Sequence, residues 1–185
     1  MTIRQGIDPT TQASFSLKNR LGRLAWGIVQ ATLFRWSPRP AHGLRALLLK
    51  MFGAKLGVGC HVYPSAQIWA PWNLEMDDHA CLGDGVICYS MARIRLGKKV
   101  VVSQRAHLCS GSHDYEDRNF QLYALPITIA DHVWVCAEAF LGPGVEIGEG
   151  AVIGARAVAT RSMPPWMVCA GNPCRPLKPR NIRGQ

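Results

Sequence analysis

His113 is the residue of this chain whose type and setting most favour catalysis. It is one of six histidines in 185 residues, and it opens the segment HDYEDRNFQLYAL, which is charged and aromatic where the flanking sequence is aliphatic and regular. A neutral imidazole can take the proton of a hydroxyl group near pH 7. Long irregular segments on regular scaffolds are where function concentrates. We therefore predict that His113 is a general base.

Cys109 is the alternative nucleophile, because a cysteine near a histidine can form a reactive pair. It lies in the repeat LCSGSH, however, where small residues are expected for packing. The seven cysteines show no CxxC spacing, and no secretory signal pattern precedes them. They are typical of reduced thiols, and we expect a cytoplasmic protein.

The elements that position these residues follow from a period of six. From residue 129 onward, two apolar columns recur every six residues: Ile129, Val135, Leu141, Ile147, Ile153 and Ala159, and Val133, Ala139, Val145, Ala151, Ala157 and Met163. An α-helix would place apolar residues at a spacing of 3.6, whereas a period of six is compatible with short strands. An earlier column comprises Met76, Leu82, Cys88, Ile94, Val100 and Ala106. Small residues beside aliphatic ones at this spacing predict a mainly β protein, a parallel β-helix of hexapeptide repeats over residues 56–164.

The repeats stop over residues 112–126, which we interpret as one protruding loop. His61 and His79 are 18 residues apart, one coil if each coil holds three sixes, and could therefore stack. Residues 1–55 are predicted to form a helical segment, with Leu17, Leu21, Leu24, Ile28 and Leu33 at helical spacing and Pro38 and Pro40 ending the first helix.

Charge is concentrated at the two ends of the chain. Residues 1–55 carry nine Lys or Arg against Asp8 alone, whereas the central region is mildly acidic and residues 165–185 form a basic tail. This distribution disfavours nucleic-acid binding, which would place basic residues and aromatics on the main domain. The basic amphipathic start could lie on anionic lipid or could cap the open end of the β-helix. No apolar run reaches the length needed to span a bilayer.

Several motifs resemble those of the hexapeptide-repeat acyltransferases. They are SHDY at 112–115, HVWV at 132–135, PGVEIGEGAVIGARAV at 143–158 and AGNPCR at 170–175. Together with SLKNRLGRLAW at 16–26 and IWAPWNLE at 68–75, they are similar to the colanic acid biosynthesis acetyltransferases and related sugar O-acetyltransferases. The resemblance covers nearly the whole chain.

The resemblance implies a left-handed β-helix assembled as a homotrimer, with acetyl-CoA as acyl donor, His113 as base and no metal requirement. The acceptor would be a sugar hydroxyl of an exopolysaccharide precursor, free or lipid-linked, at the inner face of the cytoplasmic membrane. The CoA-binding residues carried over are Trp134, Ala137, Ala155, Thr160, Arg161, Arg175 and Lys178. The acceptor-binding residues would be Tyr89, Ser90, Asp114, Tyr115 and Asn119, with Phe120 beside them.

Two other functions share this scaffold. A γ-type carbonic anhydrase would hold Zn²⁺ with three histidines, and His107, His113 and His132 are in the right region but lack the close HxxxxH spacing. A non-catalytic β-helix that binds polysaccharide is the other alternative, since a fold does not fix a function.

Overall fold

A helical segment opens the molecule. The computed structural model describes residues 3–182. Helix α1 spans Leu17–Val29, continues as a π-helical turn at Gln30–Phe34, and is followed by α2 at His42–Met51. The Ser16 side chain begins α1 by accepting a hydrogen bond from the Asn19 backbone N–H. The predicted N-terminal helical segment is therefore confirmed for residues 17–51, while its residues 1–2 lie outside the described chain.

Three sheets form the sides of a solenoid, and the chain visits them in turn. Their strands are parallel except for the last strand of sheet 2. Sheet 1 contains Lys55–Leu56, Leu74–Met76, Ile94–Leu96, Ile127–Ile129 and Glu146–Ile147. Sheet 2 contains His61–Val62, Cys81–Leu82, Val101–Val102, Trp134–Val135, Val152–Ile153, Met167–Ala170 and Arg175–Pro179. Sheet 3 contains Gln67–Ile68, Ile87–Tyr89, His107–Cys109, Phe140–Leu141 and Val158–Ala159. A 3₁₀ turn at Pro71–Asn73 joins sheets 3 and 1 in the first coil, and Gly111–His113 pairs with Leu122–Ala124 outside the solenoid.

The apolar columns read from the sequence form the core. All eighteen side chains of those columns are buried, with exposures of at most 6%. Each coil therefore adds one layer to a continuous apolar column, which is the way repeat proteins bury a core that no single repeat could bury. The predicted β-helix is confirmed.

The number of residues in a coil varies along the solenoid. Register pairs Gln67 with Ile87 and Ile87 with His107, so the early coils hold 20 residues, whereas Trp134 pairs with Val152 in a coil of 18. His61 and His79 do not occupy equivalent positions in successive coils, because His61 pairs with Cys81. The His61 ring instead stacks on His42 of α2, with ring centroids 4.5 Å apart.

The N-terminal helices cover the first coil. Trp26, Phe34 and Leu49 are buried in the main core. The Trp26 indole N–H donates to the Ile68 carbonyl at 2.6 Å, and the fully buried Arg45 guanidinium donates through Nε to the Val62 carbonyl. This segment caps the solenoid, as one of the two interpretations of the sequence held.

The solenoid continues beyond residue 164. Met167–Ala170 stacks on Val152–Ile153, and Arg175–Pro179 returns antiparallel to it as the last strand. The region considered a basic tail thus supplies the final layer of sheet 2, while its residues 183–185 lie outside the described chain. Within residues 3–182, no helix has the length and apolar character to cross a membrane.

Candidate active site

The loop that carries His113 is a β-hairpin. Its strands pair Gly111 with Ala124 and His113 with Leu122. The hairpin is fixed at its base because Gly111 lies against Met91: a Cβ at position 111 would be 2.1 Å from the Met91 sulfur. Leu122 is buried with Phe15 and Met91 in a second apolar cluster outside the solenoid core. His113 is therefore held by paired strands and not by an irregular loop.

The proton position on His113 is set by a backbone carbonyl. Nδ1 lies 2.9 Å from the Phe120 carbonyl oxygen, and the two rings stack with centroids 4.3 Å apart and planes 10° apart. A carbonyl only accepts, so Nδ1 carries the proton of the neutral ring and Nε2 keeps its lone pair. Nε2 is the atom that can accept a proton from a substrate. Sequence reasoning placed Phe120 in the acceptor region but did not anticipate this contact.

Three predicted acceptor residues lie in the hairpin turn. The Asp114 carboxylate accepts a hydrogen bond from the Glu116 backbone N–H at 3.0 Å, which shapes the turn and does not orient the imidazole. Tyr115 is 83% exposed. The Asn119 backbone N–H donates to the Asp117 carboxylate at 2.7 Å. All three residues belong to the turn between the two hairpin strands, the first of which ends at His113.

Tyr89 and Ser90 differ sharply in accessibility. Ser90 is fully buried, and its hydroxyl accepts from the Ala70 N–H and donates to the Ala70 carbonyl, at 3.1 and 2.9 Å. Ser90 thus ties adjacent coils together and has no exposed surface to offer a ligand. The ring of Tyr89 is half-buried against Trp69, with centroids 5.5 Å apart, and burial raises the pKa of its hydroxyl.

Tyr89 lines a cavity of about 270 Å³ between α1 and sheet 3, together with Arg23 and Trp69. The Arg23 guanidinium lies over the Trp69 ring at 4.4 Å from its centroid. Sequence reasoning missed Arg23 and Trp69 as site residues. A coil of 20 residues places Trp69 one layer from Tyr89, so the signal was present, but it required the correct coil length.

The Cys109 thiol makes a hydrogen bond to the backbone. It is half-buried, its S–H donates to the Gly111 carbonyl at 3.2 Å, and burial raises its pKa. The thiol form therefore dominates near pH 7, whereas a nucleophilic cysteine needs a lowered pKa.

The predicted CoA residues occupy two corners of the solenoid and two strands of sheet 2. Trp134, in sheet 2, is 47% exposed and donates from its indole N–H to the Ser103 hydroxyl at 2.9 Å. Ala137 and Ala155 stack at the corner between sheets 2 and 3, where the Arg156 N–H donates to the Ala137 carbonyl at 3.0 Å. Thr160 and Arg161, both exposed, follow Val158–Ala159 at the corner between sheets 3 and 1. Arg175 and Lys178 are exposed on the last strand of sheet 2.

One chain does not bring all of these groups together. The hairpin leaves the solenoid after His107–Cys109, at the corner between sheets 3 and 1. Thr160 and Arg161 share that corner, whereas Trp134, Ala137 and Ala155 lie across sheet 3 from it. His113 and the alanine corner therefore lie on opposite sides of sheet 3 within one chain.

The histidines considered for zinc lie on separate elements. His107 is in sheet 3 against Phe140, His113 is on the hairpin, and His132 is in a corner at φ 60°. Across residues 3–182, no three His, Cys, Asp or Glu side chains form a group able to hold a metal ion.

Known proteins of the hexapeptide-repeat type share the fold of this chain. The family model "Bacterial transferase hexapeptide (six repeats)" matches residues 126–161. A maltose O-acetyltransferase from Clostridium difficile 630 superposes with a TM-score of 0.81 at 23% identity, over 90% of each chain. A hexapeptide-repeat acetyltransferase from Vibrio cholerae O1 biovar eltor, complexed with acetyl coenzyme A, gives a TM-score of 0.81 at 23% identity, over 90% of this chain and 91% of its own.

Sequence similarity defines the family. The chain belongs to the hexapeptide-repeat acetyltransferases, as the resemblance predicted, and it is an enzyme of that class. Within the class, the chain is 43% identical to the putative colanic acid biosynthesis acetyltransferase of Escherichia coli strain K12. The 155 matched residues cover 84% of this chain and 85% of that protein.

Proposed function

We propose that the enzyme transfers acetyl from acetyl-CoA to a sugar hydroxyl in exopolysaccharide biosynthesis, with His113 as general base. The observation that carries the proposal is the Nδ1 contact of His113 with the Phe120 carbonyl, which leaves Nε2 unprotonated in the neutral ring. The donor and the sugar class are supported by the Vibrio cholerae protein, which is complexed with acetyl coenzyme A, and by the name of the Escherichia coli relative.

The acceptor hydroxyl attacks the thioester directly, and no acyl-enzyme forms. Nε2 removes the acceptor hydroxyl proton as the oxygen bonds to the thioester carbonyl carbon, which forms a tetrahedral oxyanion. Collapse of this intermediate breaks the C–S bond, and the imidazolium returns its proton to the departing CoA thiolate. The Phe120 carbonyl accepts from Nδ1 throughout and stabilises the imidazolium. A positioned base of this kind contributes about 10²- to 10⁴-fold in rate.

The donor would lie along the corner formed by Ala137 and Ala155, where small side chains allow the pantetheine arm to approach the backbone. Trp134 would pack near the thioester, and Thr160, Arg161, Arg175 and Lys178 would meet the phosphate and adenine end. The acceptor would be held by Tyr89, Asp114, Tyr115 and Asn119. Ser90 would act only by fixing the coil that carries Tyr89, because its side chain is fully buried.

The working unit would be a homotrimer, with each site formed between neighbouring chains. The separation of the hairpin from the alanine corner within one chain supports this arrangement. We further propose that the enzyme works in the cytoplasm on a lipid-linked or free sugar acceptor, in peripheral contact with the membrane through residues 1–55.

A transfer assay tests the catalytic proposal. His113→Ala is expected to lower kcat about 10²- to 10⁴-fold, while acetyl-CoA binding measured by calorimetry stays within about threefold, because the ring touches the acceptor and not the nucleotide. His107→Ala is the matched control, since His107 is half-buried against Phe140 and outside the hairpin. Equal kcat for wild type and His113→Ala would exclude the base, and absence of acetyl-CoA binding by wild type would exclude the donor.

A further inference from the structure

Helix α1 carries two apolar faces, and the solenoid uses only one. The buried face contains Trp26, whose indole N–H bond to the Ile68 carbonyl fixes the rotation of the helix. At about 100° per residue, the opposite face carries one row of large aliphatic side chains. We call this row the leucine stripe: Leu17, Leu21, Leu24 and Ile28, which are 56–66% exposed.

The leucine stripe consists of several adjacent exposed side chains and not of a single one. Single exposed apolar residues are normal, but a continuous row marks an interaction surface. The row continues beyond α1 into Leu33 and Trp36, which are 61% and 81% exposed. The packing of the first coil therefore leaves a solvent-facing apolar surface more than three helical turns long.

The charges around the leucine stripe are all positive. Lys18 and Arg20 flank it on opposite sides, both exposed, and Arg35 follows in the next turns. Between Pro9 and Leu74 the sequence has no Asp or Glu. Other basic residues of the segment are used internally: Arg23 stacks on Trp69 and Arg39 pairs with Asp84. The exposed cations of α1 thus remain available to an anionic partner.

We propose that the leucine stripe docks on an anionic lipid bilayer, with α1 lying in the plane of the interface. Aliphatic side chains enter the acyl boundary while Lys18 and Arg20 meet the headgroups. Charge complementarity favours lipid over a second copy of this chain, because a self-contact through the same face would oppose like charges. The inference rests on the peripheral membrane contact proposed above and assigns it to a defined surface.

The docked orientation would fix the position of the Tyr89 cavity relative to the membrane, with α1 between them. α1 presents the leucine stripe on one side and contributes Arg23 and Trp26 to the cavity of Tyr89 on another. The same helix would therefore set the height of that cavity above the headgroups.

Vesicle sedimentation of the full chain tests this surface. Wild type is expected to bind vesicles of phosphatidylcholine with about one third phosphatidylglycerol, to bind pure phosphatidylcholine much less, and to lose binding as salt is raised. Leu21→Glu/Leu24→Glu and Lys18→Gln/Arg20→Gln are each expected to bind at least about tenfold more weakly. Leu177→Glu is the matched control, because Leu177 is 65% exposed but lies on the last strand.

The outcomes separate this proposal from the others. Failure of wild type to bind anionic vesicles would overturn both the leucine stripe and the peripheral contact, whereas unchanged binding by Leu21→Glu/Leu24→Glu would overturn the leucine stripe alone. A fall in oligomeric mass in that variant, measured by light scattering, would show that the stripe is a subunit contact and would also overturn the proposal. Acetyl transfer to a water-soluble acceptor is measured separately, so its result bears only on the catalytic proposal.

Discussion

In the proposed mechanism, the backbone around His113 orients the imidazole, a role that a carboxylate has in many general-base sites. The carbonyl of Phe120 fixes the tautomer of the imidazole without adding a negative charge. Asp114, the neighbouring carboxylate, is bonded to the Glu116 N–H. Ring stacking on Phe120 adds a geometric restraint, with an interplanar angle of 10°. The orientation of His113 is therefore a property of the hairpin backbone.

Cys109→Ser tests whether the thiol beside the hairpin takes part in transfer. We expect kcat to stay within about threefold of wild type, because burial raises the pKa of Cys109 and leaves little thiolate near neutral pH. The same shift predicts that iodoacetamide modifies Cys109 appreciably only at a pH above that of an exposed thiol. Steady-state kinetics and mass analysis of the modified protein measure the two effects. A loss comparable to that of His113→Ala, or an acetylated Cys109 trapped during turnover, would contradict direct attack.

The site was only partly readable from the sequence, for physical reasons that differ by residue. His113 could be located because it begins the break in the period of six. The contact with Phe120 could not be read, since it depends on the closure of a hairpin between residues seven positions apart. Ser90 was misplaced because a polar side chain in a repeat can face either the ligand or the next coil, and only the structure shows the two bonds to Ala70.

At the scale of elements, the apolar columns were predictable and the coil length was not. Every predicted column residue is buried, because a period of six fixes which side chains face the axis. A corner can hold extra residues without moving the columns on either side, so coils of 20 and 18 share one core. The rotation of α1 about its own axis was also not predictable from the sequence. Its most regular apolar row, the leucine stripe, is exposed, and the buried face depends on Trp26.

Arg45 locks α2 to the solenoid, and its loss should destabilise the fold. It is fully buried and donates to the Val62, Pro38 and Arg39 carbonyls and to the Ser37 hydroxyl. Arg45→Met keeps most of the aliphatic volume but removes these four hydrogen bonds, which we expect to lower the free energy of unfolding by about 3 kcal/mol. Urea denaturation at a fixed protein concentration measures this change in the free energy of unfolding.

Lys50→Met is the control for Arg45→Met, because Lys50 is exposed on the same helix. A surface change of this kind should stay within about 0.5 kcal/mol. If the two variants unfolded at the same urea concentration, the bonds of Arg45 would not be what holds α2 in place.

At the scale of the whole molecule, the solenoid separates the parts of the proposed site by its own geometry. Sheet 3 stands between the corner that bears the hairpin and the corner of Ala137 and Ala155. In a cyclic oligomer these two surfaces can come together, because the hairpin of each chain then contacts the alanine corner of its neighbour. The leucine stripe lies on the N-terminal segment that caps the first coil, so docking and donor binding would use different parts of the assembly.

Mixed oligomers test whether each site is shared between chains. His113→Ala removes the base, and Ala155→Trp fills the proposed path of the pantetheine arm at an exposed position. Each variant alone should be inactive while keeping the oligomeric mass of wild type. If a site combines the hairpin of one chain with the alanine corner of its neighbour, random co-assembly at equal amounts restores both intact parts in roughly a quarter of the sites. Activity of the co-expressed, co-purified mixture should therefore recover to about that fraction of wild type. Sites contained within single chains would give no recovery, because every chain in the mixture carries one defect.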